Sequence, residues 1–257
     1  MKKDCHIHSH YCQHGSKDPF DKYINKAIKE EIDEISFTEH LPLPNMPIDK
    51  NFLIECAILE KDVQLYIDEV NKYKSLYKDK IKINVGFEVD YVEGFEKEIT
   101  DSLNEVGKFI EDSILSVHFV KYKDNYYAID MLRDFEFLLS DIGSLEGVYD
   151  LYYETILKSI KSDLGIYKPK RIGHITLVRK FCLKYPYKYK NRVLLDEIFE
   201  ILKEDNYEID YNTSGLRKEL CDEIYGEYLK EYIDRYNINI IYGSDSHRAC
   251  DVGEGIE

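Results

Sequence analysis

Histidines and carboxylates stand in short clusters along this chain: His6-Ile7-His8 with His14 close behind, Thr38-Glu39-His40, Gly86-Phe87-Glu88, Ser116-Val117-His118, Gly173-His174 and Gly243-Ser244-Asp245-Ser246-His247. Imidazole nitrogens and carboxylate oxygens together suit borderline divalent cations such as zinc, manganese or iron. A lone histidine is more often a satisfied core or surface residue, so the weight rests on position. Each cluster closes a short apolar run of strand character, and that placement points to a polynuclear metal site.

His6 and His8 are two residues apart on one such run, so both side chains face the same way and can bite one ion. Asp245 and His247 repeat that spacing on the last run. Glu88 sits in the otherwise apolar stretch Ile83–Val89, where a carboxylate is costly unless it is paired or metal-bound. Bridging two cations would engage both of its oxygens. His118 and His174 occupy similarly buried-looking runs and, with Glu88, form a third candidate set.

The elements that must position these groups alternate. Strands are predicted over 4–8, 34–38, 82–89, 114–120, 171–175, 208–212 and 239–243, each rich in Ile, Val, Phe or Tyr. Helical periods fall between them: one opening at Asp18-Pro19 as cap and first turn, with Ile24, Ala27, Ile28 and Ile32 on one face, and others over 59–77, 95–110, 145–164, 192–204 and 218–236. Residues 41–57, with Pro42, Pro44 and Pro47, read as an ordered loop over the site. Such alternation implies a parallel sheet flanked by helices. An open sheet gathers its site at one switch point, whereas here nearly every strand end brings a ligand. Only closure gives that many ends one mouth, so the expectation is an α/β fold, a barrel of about seven strands in a single domain over 1–257.

The 257 residues carry a formal charge of −15, which disfavours nucleic acid or anionic lipid as partners. The Lys- and Tyr-rich stretch 179–192 is read as a solvated loop for the same reason. Bound cations would still attract an anion locally. Cys5, Cys12, Cys56, Cys182, Cys221 and Cys250 form no C-x-x-C pair, and the first fifteen residues have no apolar signal segment. No apolar run reaches membrane-spanning length. These features suggest reduced thiols in the cytoplasm; Cys12, near two candidate ligands, could coordinate, but the bystander role is the favoured reading. The oligomeric state is not legible.

In order along the chain, H-x-H, T-E-H, G-x-E-x-D-Y, S-V-H-F, G-H-I-T-L-V, N-T-S-G-L-R-K and G-S-D-x-H resemble the PHP (polymerase and histidinol phosphatase) superfamily, and within it the monofunctional histidinol-phosphatases of histidine biosynthesis. The likeness runs from Cys5 to Gly253. It implies a distorted (β/α)7 barrel with the metal site at the C-terminal strand ends, holding three divalent ions drawn from zinc, iron and manganese. Carried over by position, one ion takes His6, His8, Glu88 and Asp245, a second His14, His40 and His247, and a third Glu88, His118 and His174. His10 matches no ligand position, and Glu39 is expected to orient its neighbours. The implied reaction is hydrolysis of L-histidinol phosphate, a small phosphate monoester, to L-histidinol and phosphate.

Six positive charges against the two of Glu88 and Asp245 would hold such a dianion, and metals depress the pKa of water so that it can attack phosphorus at neutral pH. Arg179 and Arg217 are the further candidate phosphate holders, since a guanidinium grips two oxygens at once. The rival readings are another phosphoesterase of the same superfamily, a phosphodiesterase or nucleotide exonuclease, which would need a basic groove, and a metal-binding protein without turnover.

Overall fold

In a computed structural model, which describes residues 1–256, the apolar runs become β1 (Lys3–Ile7), β2 (Glu34–His40), β3 (Lys82–Asp90), β4 (Asp112–Ser116), β5 (Phe119–Tyr122), β6 (Asn125–Ala128), β7 (Arg171–Ile172), β8 (Glu208–Asn212) and β9 (Asn239–Gly243). Seven of them pair in parallel in the order β1-β2-β3-β4-β7-β8-β9. The ring closes just beyond the last strand, where Ile7 bridges Ser246, His8 N–H donates to the Ser246 carbonyl at 3.0 Å and Asp245 N–H to the His6 carbonyl at 2.7 Å. This is a distorted (β/α)7 barrel. The distortion is concentrated at β4–β7, which share the single partnered pair Leu115–Ile172.

The helices are α1 (Phe20–Lys29), α2 (Lys50–Cys56), α3 (Val63–Tyr77), α4 (Glu96–Val106), α5 (Leu132–Ile142), α6 (Leu145–Lys161), α7 (Arg192–Glu204) and α8 (Lys230–Tyr236). Their apolar faces, such as Tyr23, Ile24 and Ala27 of α1 or Tyr149, Tyr152 and Tyr153 of α6, are fully buried. Among the described residues no helix is long and apolar enough to cross a membrane.

Several predicted boundaries move, each for a local reason. Pro19 itself occupies the cap position of α1, with extended backbone, while Asp18 accepts from Ser16 and Lys22; Ile32 is buried but lies beyond the helix end. The run 114–120 divides because His118 N–H turns to the Asp90 carboxylate at 3.3 Å and the chain leaves for the β5–β6 hairpin. β7 stops after two residues. Only the last part of 218–236 is helical, because Tyr225 exchanges backbone hydrogen bonds with Asn212 at 2.8 and 3.1 Å and fixes the chain extended there. The stretch 41–57 contains α2, capped by Asp49 accepting from Asn51 N–H at 2.8 Å. Helix α5 was not anticipated from the sequence.

Candidate metal centre

Parallel strands in a closed ring point their C-terminal ends at one mouth, and each end there delivers a polar group. β1 carries His6 and, one residue past its end, His8; β2 ends on His40, and β3 carries Glu88 and Asp90. His118 follows β4, His174 follows β7, and Asp245 and His247 follow β9. His6, His8, Glu88 and His174 are all at most 2% exposed. The backbone is bent to achieve this. Asp245 and His174 take positive φ of 50° and 21°, conformations unfavourable for a residue with a Cβ and held only where the surroundings fix them. Gly243 is required by close approach: a Cβ there would lie 2.4 Å from His6 Cβ and 2.5 Å from Asp210 Oδ1.

The donors fall into groups. His6 Nε2 lies 3.2 Å from both His8 Nε2 and Glu88 Oε2 and 3.8 Å from Asp245 Oδ1, while His8 Nε2 is 3.3 Å from that same oxygen. His14 Nε2 and His247 Nε2 are 2.9 Å apart, and one donor atom of each of His14, His40 and His247 lies within 4.8 Å of the others. The second Glu88 oxygen, Oε1, is 3.0 Å from His174 Nε2 and 3.7 Å from His118 Nε2. Ligand bonds of about 2.1 Å in a tetrahedron imply donor–donor edges of about 3.4 Å, the spacing seen here. Imidazole nitrogens that face one another need a proton or a cation between them, so the donor set fits divalent metal.

The far side of four of the rings is held as metal-binding imidazoles require, whereas Nδ1 of His40 and of His174 is buried without a hydrogen-bond partner. His6 Nδ1 donates to Asp210 at 2.8 Å, His118 Nδ1 to Asp90 at 2.7 Å, His8 Nδ1 to Glu39 at 3.3 Å and His14 Nδ1 to the Glu55 carbonyl at 2.8 Å. Glu39 also accepts from Ser9 N–H and Oγ, and Ser116 Oγ donates to Glu88 at 2.6 Å. Asn212 and Ser214 hold Asp245.

Burial would push the Glu88 carboxyl up, yet the imidazoles of His6, His40 and His118 and the hydrogen bond from His174 hold it well below the usual carboxylate range. Asp245 is likewise held well down against its burial, by His6, His8 and His247. Burial opposes protonation of His8 and His118, but Asp245 and Glu39 raise the first to about 9, and Asp90 and Glu88 the second to about 10. Burial, with neighbouring imidazoles, pushes His40 and His247 well below their ordinary value. Ion uptake must therefore displace protons.

The structure brings His6, His8, His14, His40, Glu88, His118, His174, Asp245 and His247 together, with Glu39 behind His8. Arg217 lines the adjoining cavity of about 710 Å³. One of its nitrogens donates to the Ser244 carbonyl, and Nη1 is buried without a protein partner. Arg179 does not line that cavity. Its guanidinium forks onto Glu223, donates to the Tyr187 carbonyl at 2.8 Å and lies 3.8 Å over the Tyr228 ring. His10 packs on Tyr11 and Phe20, with Glu69 at 3.6 Å. Cys12 is buried and absent from the cavity wall. Sequence reasoning passed over Asp90 and Asp210, although each sits on the same face of its strand as a second polar site residue, Glu88 and Asn212 respectively.

The PHP domain family matches residues 4–214. The chain is 41% identical to the histidinol-phosphatase of Bacillus subtilis (strain 168), over all of this chain and 97% of that one. A crystal structure of a candidate histidinol phosphatase from Listeria monocytogenes superposes with a TM-score of 0.89 at 33% identity, covering 99% of this chain and 98% of that one. Histidinol phosphate phosphatase from Lactococcus lactis, solved with zinc, L-histidinol and phosphate, shares the fold with a TM-score of 0.69 at 24% identity, over 96% and 87% of the two chains.

Proposed function

The chain belongs to the PHP domain family, among its histidinol-phosphatases, and from that premise we propose that it hydrolyses L-histidinol phosphate to L-histidinol and inorganic phosphate with three divalent ions drawn from zinc, iron and manganese. The observation that carries this is the spacing of the donors: eight side chains, from distant parts of the sequence, arranged about Glu88 so that each of its oxygens serves a different group. His6, His8, Glu88 and Asp245 would hold one ion, His14, His40 and His247 a second, and Glu88, His118 and His174 a third.

Bound there, such ions supply Lewis acidity toward phosphoryl oxygens and lower the pKa of water enough for attack near neutral pH. The protein does the rest. Asp210, Asp90 and Glu39 fix which imidazole nitrogen points inward, and Arg217 offers its unpartnered Nη1 to the phosphate in the cavity. The cavity's volume of about 710 Å³ accommodates a small monoester. Six unpaired thiols among the described residues fit a reducing cytoplasm.

The test is phosphate release from a panel of monoesters and diesters, run beside elemental analysis of the same preparation. L-histidinol phosphate should be preferred, with three ions per folded chain; folded, metal-loaded protein that releases no phosphate from any monoester refutes the assignment. Arg217→Ala should raise KM by about 10–100-fold, the worth of a charge-assisted hydrogen bond; unchanged kinetics would remove Arg217 from the phosphate site.

A further inference from the structure

The nine donors are not equally well supported. Eight of them lie on barrel strands or within one to four residues of a strand end, whereas His14 is exposed, on the loop between β1 and α1. Its Nδ1 is oriented by one contact, the hydrogen bond to the Glu55 carbonyl at 2.8 Å. Glu55 belongs to α2, and α2 has no buried residue, in contrast to the eight of α6. Helix α2 leans on the barrel through half-buried Phe52, Leu53 and Cys56, with Phe52 edge-on to Phe119 at 6.3 Å.

The segment that carries α2 is pinned at both ends to ligand residues. Leu41 N–H donates to the Glu88 carbonyl at 2.9 Å and Ile58 N–H to the His40 carbonyl at 3.1 Å. Between these anchors Met46 is buried in the core, but α2 itself (Lys50–Cys56) has no buried residue and can lift without disturbing β2 or β3. A helix with few buried apolar contacts opens at low free energy. When α2 lifts, His14 loses the partner that orients it, while His40 and His247 keep their places.

Resting on the three-ion reading above, we propose that the ion held by His14, His40 and His247 is the exchangeable member of the centre, and that α2 controls its exchange through the Glu55 carbonyl and the Phe52–Phe119 contact. Phe52 is then a positioning residue for His14. The other two ions, enclosed by strand-borne ligands and sharing Glu88, leave only on wider opening of the barrel mouth.

The fully loaded protein is challenged with a chelator, and retained metal is followed over time by elemental analysis alongside amide hydrogen exchange over residues 50–56. One of three ions should leave in a fast phase, with exchange over α2 rising as it goes. Phe52→Ala should quicken that phase by about tenfold, the lower range for loss of an outer-shell partner, and leave the slow phase unchanged. Asp49→Ala, which removes the exposed cap of α2, should act in the same direction by a smaller factor. His14→Ala should load two ions and show the slow phase alone. Loss of all three ions in one phase, a fast phase surviving in His14→Ala, or unaltered rates in both α2 variants would overturn the proposal. Wild-type protein that saturates below three ions would overturn the three-ion reading itself, and this inference with it.

Discussion

At the N-terminal end of the barrel Glu34 accepts from Lys3, Lys82 and Asn84 at 2.8–2.9 Å, and Asp112 accepts from Ser36 at 2.6 Å and Arg171 at 3.0 Å. At the C-terminal end Glu39, Glu88, Asp90, Asp210 and Asp245 meet imidazoles and neutral donors such as Ser9, Ser116, Asn212 and Ser214, and among the described residues no lysine or arginine pairs with any of them. The two ends enclose comparable polar density in one fold. At one, three cationic side chains answer two carboxylates and the chain supplies its own counter-charge. At the other, five carboxylates converge with groups that are ligands first and cations second, so the balancing charge has to come from outside. The lesson is that a buried acidic cluster is informative through what it lacks: a closed ion-pair network stabilises a barrel floor, whereas an unanswered one marks the functional mouth.

The sharpest way to break that contrast is to remove a ligand from the mouth. His6→Ala should lower turnover by well over about 100-fold, since loss of an outer-shell partner alone costs about 10–100-fold, and should reduce bound metal while the protein stays folded. Near-normal turnover in a metal-replete preparation would show that His6 does not hold an ion. Asp210→Asn comes next. It keeps the shape but removes the charge that His6 Nδ1 faces, so metal affinity measured by chelator competition should fall by about tenfold; an unaltered affinity would make Asp210 a mere filler of the barrel interior.

Much of the mouth was legible in the sequence because a strand's alternation is rigid: His6 with His8 and Asp245 with His247 had to share faces, and closure had to make β1 and β9 neighbours. The same alternation held the clue to Asp90 and Asp210, each two residues from another polar site residue. What escaped was set by long-range partners. Nothing near Arg179 reveals that Glu223 will claim it, while Arg217, in an equally suggestive motif, keeps a free nitrogen at the cavity. Likewise β7 is cut short by the backbone of His174, whose φ of 21° serves the site rather than the strand. Helix α5 has apolar residues at helical spacing, but it follows a hairpin whose first strand reads as a continuation of β4.

Two changes at the floor sharpen the comparison from the other side. Arg171→Ala removes a buried guanidinium that donates to Asp112 and, at 2.9 Å, to the Cys5 carbonyl, leaving Asp112 with Ser36 and no cationic partner. Breaking a fully buried pair from one side costs about 3–5 kcal/mol; with Asp112 a fifth exposed, a fall in melting temperature of about 5–10 °C is expected for a chain of this size. Turnover per folded, metal-loaded molecule should be unchanged; a specific loss of turnover would mean that the two ends are not separable.

The smallest effect belongs to Glu34. Burial would raise its carboxyl, but hydrogen bonds from Lys82, Lys3 and Asn84 bring it down to about 2 from an ordinary 4.5. A carboxyl depressed on folding contributes stability that is complete above its unfolded pKa and lost as pH falls toward the folded one. The melting temperatures of wild type and Glu34→Gln, both measured metal-free so that the mouth is in the same state, should therefore differ by a few degrees near pH 6 and converge as pH is lowered from about 4.5 to about 2. A gap that stays constant across that range would show that Glu34 acts by shape and not by charge, and that the floor is less electrostatic than its distances imply.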